Sequence, residues 1–110
     1  MADLQYHIRC KPGDVGEAAL LPGDPGRCES IARLFTRPRL IASNREYITY
    51  TGEVDGRAIS VCSTGIGSPS TAIAVEELAA IGVRTFIRVG TTGSIQKGVG
   101  FGDLVVATGA

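Results

Sequence analysis

The chain has 110 residues, 44% of them apolar and 20% charged, which suits one domain with a real core; 11 Lys plus Arg balance 11 Asp plus Glu. That balance excludes a global field for nucleic acid or an acidic membrane surface, and no stretch approaches the length of a membrane span. Cys10, Cys28 and Cys62 form no C-x-x-C pair, which argues against a disulfide scaffold or a zinc site. With no charged-then-apolar leader in the first ten residues, the expected setting is cytoplasmic.

In chain order, Ala18-Ala19-Leu20-Leu21 reads as a buried strand stopped by Pro22-Gly23. Asp24 followed by Pro25 is a helix-start signal, a capping carboxylate ahead of proline at the first helical position. Cys28, Ile31, Ala32 and Leu34-Phe35 give that helix its apolar stripe, and Pro38 is expected to close it. Glu46 to Val54 and Ala58 to Cys62 are strand-like, and Asp55-Gly56 between them signals a type I′ hairpin.

Next comes a glycine- and hydroxyl-rich turn, Ser63 to Ser70. Ser68 should cap and Pro69 open a second helix, with Ile73, Ala74, Glu77, Leu78 and Ile81 at helical spacing. Gly82 sits where a left-handed C-terminal cap belongs. Val83 to Val89 reads as a strand followed by Gly90-Thr91-Thr92-Gly93-Ser94, and Asp103 to Thr108 as one more. Strands alternating with helices predict an α/β domain with a largely parallel or mixed sheet, its elements falling in a single unit over residues 1–110. Closing on an uncovered strand implies truncation after the first half of a larger domain.

Two features suggest chemistry. Fifteen glycines are roughly twice an average share, as tight turns or close backbone approaches to a ligand would require. Nine of the 11 basic residues are arginine, the side chain suited to gripping a planar anion with parallel hydrogen bonds. Arg88 shares a strand face with Phe86 and Gly90 by the two-residue period. A charge at the end of an apolar strand needs an acidic partner, a wet edge or a ligand. The hydroxyls and N–H groups of Thr91 to Ser94 follow at a strand's carboxyl end, where ligands of open α/β sheets gather. Arg27 stands in the first turn after Gly23-Asp24-Pro25-Gly26. It opposes the helix dipole there by ~0.3–1 kcal/mol unless an anion lies between.

Three runs together, Leu21-Pro22-Gly23-Asp24-Pro25-Gly26-Arg27, Cys62 to Ser70, and Arg88-Val89-Gly90-Thr91-Thr92-Gly93, resemble successive motifs of the nucleoside phosphorylase I family. The resemblance runs from about Tyr6 to the end. It implies a three-layer domain around a central mixed sheet, and phosphorolysis of a nucleoside with inorganic phosphate as co-substrate and no organic cofactor. By position it assigns Gly23, Arg27, Arg88 and Thr91 to the phosphate, with Arg45 reaching the phosphate of a neighbouring subunit. Arg27, Arg45 and Arg88 are the catalytic arginines on that reading. His7 matches a histidine lent to a neighbour's ribose 5′-hydroxyl, with Tyr6 beside it; Thr92 and Gly93 line the nucleoside side.

Glu46, Ile66 and Ser70 match an interface site for a monovalent cation, usually potassium. Gly90-Thr91-Thr92-Gly93 and Thr71 to Leu78 look like the uridine branch, which cleaves uridine to uracil and ribose 1-phosphate in pyrimidine salvage. The hexameric purine nucleoside branch is the alternative, since it shares the first corner and the phosphate arginines, but it usually carries Gly-Ser-Cys-Gly after the strand arginine. The resemblance also implies a homohexamer, a trimer of dimers. Base-recognition residues lie further along in the family, so these residues alone are expected to be catalytically incomplete.

Overall fold

The computed structural model describes residues 3–110. Side-chain alternation along the strands sorts the core into two layers. In β1 (Ala18–Pro22), Ala19 and Leu21 join one cluster and Leu20 the other; in β4 (Arg57–Cys62), Cys62 and Val61 divide the same way. The first cluster is covered by α2 (Ser68–Ala80) through Ala74 and Leu78, and by Ile8 and Cys10 of the N-terminal segment. The second is covered by α1 (Cys28–Ala32) through Cys28 and Ala32. Helices therefore lie on both faces of the sheet, as the three-layer expectation requires.

The sheet is mixed, with β2 (Thr36–Asn44), β3 (Tyr47–Val54) and β5 (Thr85–Val89) completing the order β2-β3-β4-β1-β5. β1 runs parallel to both β4 and β5, pairing Ala18 with Ile59 and Leu21 with Arg88, while β2, β3 and β4 form an antiparallel meander. The carboxyl ends of β4, β1 and β5 consequently open on the same edge of the molecule. Asp55 and Gly56 both have positive φ (52° and 79°), as a type I′ turn demands. Gly82 (φ 117°) closes α2 with the paired bonds of a Schellman motif, Val83 N–H to Leu78 O and Gly82 N–H to Ala79 O.

Several local expectations are corrected. The Asp24-Pro25 start is real, since the Asp24 carboxylate accepts the Gly26 N–H, but it opens a single 3₁₀ turn (Pro25–Arg27) before the short α1. Pro38 closes no helix. α1 has already ended at Ala32, Leu34 is exposed, and Pro38 lies in β2, where the register shifts between Thr36 and Arg39. Proline is tolerated there because β2 is an edge strand with an irregular ladder. Ser68 does not cap α2. Gly67 holds that place at φ 106°, and the Ser70 and Thr71 hydroxyls bond back to its carbonyl. Asp103 to Thr108 forms no strand: it pairs with no other strand, and Leu104, Val105 and Val106 stand exposed. Apolar composition alone does not make a strand where the backbone has no ladder to join.

Candidate functional site

Gly23 and Arg88 meet at the shared carboxyl edge. The Arg88 guanidinium folds back along the end of β1, with Nη1 donating to Leu21 O (2.9 Å) and Val89 O (2.8 Å). A Cβ on Gly23 would lie 3.2 Å from Arg88 Nη2 and 3.2 Å from Gly65 O, so a side chain there would press on the guanidinium that lies against the backbone. The parallel ladder runs on past the strands, from Thr64 N–H to Pro22 O and from Gly65 N–H to Gly23 O. Those bonds hold the Gly65 to Ser68 turn against Arg88, and together they line an open depression of about 560 Å³. The turn leads directly into the amino terminus of α2, which has no side-chain cap. Uncapped N–H groups at such an end favour an anion.

Arg27 ends the 3₁₀ turn four residues beyond Gly23 and is half-buried. Among the described residues the ion pairs join His7 to Glu77, Lys11 to Asp14, Arg33 to Glu29 and Arg37 to Glu53. Arg27, Arg45 and Arg88 take part in none of them, which removes the acidic-partner reading of Arg88; β5 is an edge strand and Arg88 stands exposed on it, so a wet edge and a ligand both remain open to it. Thr91, Thr92 and Gly93 follow β5 in an exposed irregular stretch. Thr92 and Gly93 line a separate depression of about 550 Å³ with residues up to Val105, and Arg88 is the one of the three arginines that lines the depression beside Gly65 to Ser68.

Arg45 opens the two-residue loop between the paired Asn44 and Tyr47, exposed and with a left-handed backbone (φ 54°). Such a conformation costs a non-glycine residue of order 1–3 kcal/mol, and the arginine stands exposed at the tip of the hairpin. Glu46, the second loop residue, makes no ion pair with Arg45. Its chain lies across Gly65, where a Cβ would come within 2.9 Å of Glu46 Cγ, and Gly65 itself has φ 69°. Ser63 locks this contact by donating to Glu46 O and accepting the Ile48 N–H.

Ser70 Oγ lies 3.3 Å from Ile66 O, and Glu46 packs on the neighbouring Gly65. No group of three or more His, Cys, Asp or Glu occurs among the described residues. One carboxylate with a carbonyl and a hydroxyl is a hard-oxygen set of low charge, which fits a monovalent cation better than a divalent one.

His7 lies against α2 at Glu77, in its carboxyl-terminal half, with Tyr6 beside it. Tyr6 is exposed, its ring edge-on to His7 at 4.9 Å. His7 is pinned by Glu77, whose carboxylate accepts the N–H groups of His7 and Ile8 (both 3.0 Å) and contacts His7 Nδ1. Asn44, next to Arg45, donates to His7 O (2.7 Å), so one corner holds both His7 and the Arg45 hairpin. Burial pushes the Glu77 carboxyl up, but the Ile8 N–H and the His7 ring and N–H outweigh it and hold the group below its usual range. Glu77 is the residue sequence reasoning missed. The available signal was an acid on an otherwise apolar helical stripe.

A family model described as "Phosphorylase superfamily" matches residues 17–110. The chain belongs to the phosphorylase superfamily. Curated members of similar sequence include a uridine phosphorylase of Thermococcus kodakarensis, 62% identical over 107 residues, and a uridine phosphorylase of Treponema pallidum, 54% identical over 108. A guanosine phosphorylase of Halorubrum lacusprofundi is 53% identical over 106 residues. These alignments cover 96–98% of this superfamily chain but only 39–44% of the relatives, so the chain spans about two-fifths of their length. None of its helices among the described residues is long and apolar enough to cross a membrane.

Proposed function

We propose that this segment supplies the phosphate half of the active site of a cytoplasmic uridine phosphorylase. One observation carries it: the Arg88 guanidinium lies against Gly23, where three parallel strands end, with no acid paired to it. Gly23, Arg27, Arg88 and Thr91 hold the phosphate of their own subunit. Arg45 and His7 serve a neighbour in a homohexamer built as a trimer of dimers, and Tyr6, Thr92 and Gly93 stand on the nucleoside side. The sharing of one corner by His7 and the Arg45 hairpin supports that division of labour. Glu46, Ile66 and Ser70 would hold potassium, whose charge would stiffen the turn under the depression.

In the reaction a phosphate oxygen forms a bond to C1′ of the sugar while the bond from C1′ to the base nitrogen breaks. The electron pair leaves with uracil, giving ribose 1-phosphate. Phosphate arrives already charged, so no base has to create the nucleophile. Permanently protonated guanidiniums hold it beside the positive charge that develops on the sugar, and well-oriented reactants can gain up to about 7–11 kcal/mol from positioning. Uridine is favoured over a purine nucleoside because of Thr91-Thr92 and the relatives named for uridine, although the guanosine phosphorylase of similar identity keeps the purine reading alive. A protein of the relatives' length carrying this segment should release uracil from uridine only with phosphate present. Preferential release of guanine or hypoxanthine from the purine nucleosides would overturn the pyrimidine assignment.

A further inference from the structure

Glu77 does more than tie the N-terminal segment to α2. Two backbone N–H groups already make that tie through Oε1, at 3.0 Å each. The second oxygen is placed on the imidazole, with Oε2 2.5 Å from His7 Nδ1. The Glu77 side chain is only 14% exposed, whereas the His7 side chain is 30% exposed, so the carboxylate is enclosed while the ring still reaches solvent. An ionised carboxylate is an acceptor only, so the ring nitrogen facing it must carry the hydrogen. In a neutral imidazole the other nitrogen, Nε2, then keeps its lone pair. The Asn44 amide donates to the His7 carbonyl and so holds the backbone that carries the ring, while the Tyr6 ring stands edge-on to the imidazole at 4.9 Å.

We infer that Glu77 is a positioning residue that holds His7 as the Nδ1–H tautomer, so that Nε2 is presented as a hydrogen-bond acceptor to a sugar hydroxyl. This rests on the sugar-contacting role proposed for His7. A carboxylate backing an imidazole in this way fixes ring orientation as well as proton position, the arrangement that orients histidines in metal and hydrolase sites. An acceptor nitrogen pairs with a hydroxyl that donates, and a substrate lacking the hydroxyl leaves it idle.

His7 is the only histidine in these 110 residues, and long-range ¹H–¹⁵N spectra of a protein of the relatives' length carrying this segment report its tautomer, the His7 signals being those lost in His7→Gln. The Nδ1–H form is expected in the neutral ring; a predominant Nε2–H form overturns the inference. In phosphorolysis by the assembled enzyme, Glu77→Gln should lower kcat/KM for uridine about ten-fold. For 5′-deoxyuridine, which lacks the donating hydroxyl, it should leave kcat/KM within about two-fold. Equal losses on both substrates would mean a purely structural role and would defeat the proposal. Absence of any wild-type phosphorolysis would remove the functional reading, and Glu77's role toward the sugar with it, while the tautomer would still decide the Glu77–His7 arrangement.

Discussion

Gly23→Ala separates the folding role of the Gly23 corner from the phosphate-binding role proposed for it. The added methyl would sit 3.2 Å from Arg88 Nη2 and 3.2 Å from Gly65 O, both inside ordinary contact distance. Gly65 O is backbone, held by the Thr64 hydroxyl at 2.8 Å, so the guanidinium is the group that yields. A shift of a few tenths of an ångström strains its bonds to Leu21 O and Val89 O. Strained overpacking costs about 1–3 kcal/mol, offset by about 0.4–1 kcal/mol from the lower entropy of the unfolded alanine chain. The net destabilisation should therefore stay near 1 kcal/mol. Phosphate affinity should fall about ten-fold, because misplacing one of the anion's donors loses of order one charge-assisted hydrogen bond. Thermal denaturation in phosphate-free buffer measures the first quantity and a phosphate titration by calorimetry the second. Unchanged phosphate affinity with the methyl in place would refute the assignment of Arg88 and Gly23 to the anion.

Gly16→Ala should be far more damaging to folding, since its Cβ would lie 2.2 Å from Ala58 O; we expect a loss of at least about 3 kcal/mol in a denaturant titration. Burial pushes the Cys62 thiol up to about 12 and the Cys10 thiol to about 11, from 9.0. Both should resist thiol reagents in the native state, and because the unfolded thiols ionise first, stability should fall as pH rises above about 9. The Glu77 carboxyl is shifted the other way, so its contribution is present above the unfolded value of 4.5 and lost as pH falls through the lower folded value. Glu77→Gln should flatten that acid limb in pH-dependent unfolding. The 110 residues alone should release no uracil from uridine with or without phosphate, and clear turnover would show that the remaining length of the relatives is dispensable.

Much of this fold was legible because local chemistry and tertiary packing agree. The Asp55-Gly56 turn, the Gly82 cap and the alternating burial of β1 follow from residues whose conformations few alternatives can satisfy. β2 was invisible for the opposite reason. Thr36 to Asn44 lacks a clean two-residue alternation, carries Pro38, and becomes a strand only because β3 offers it a ladder. The same logic, reversed, misassigned Asp103 to Thr108, whose apolar residues find no ladder. At the site, Gly23 and Arg88 were readable as a strand-end glycine and an out-of-place charge. Their contact was not readable, because it depends on the Leu21–Arg88 register across parallel strands. Glu77 was masked by its place in an apolar helical stripe, and its partners lie about 70 residues away in sequence.

The central claim is that these residues form a working phosphate cradle. It is tested most directly by substituting this chain for the matching 107 residues of the Thermococcus kodakarensis uridine phosphorylase and measuring phosphate-dependent uracil release. The chimera should form uracil and ribose 1-phosphate in equal amounts. Arg88→Leu should lower kcat/KM for phosphate by at least about a hundred-fold, as expected for a donor to the transition-state charge. Phosphate kinetics indifferent to Arg88, or uracil release without phosphate, would contradict the account.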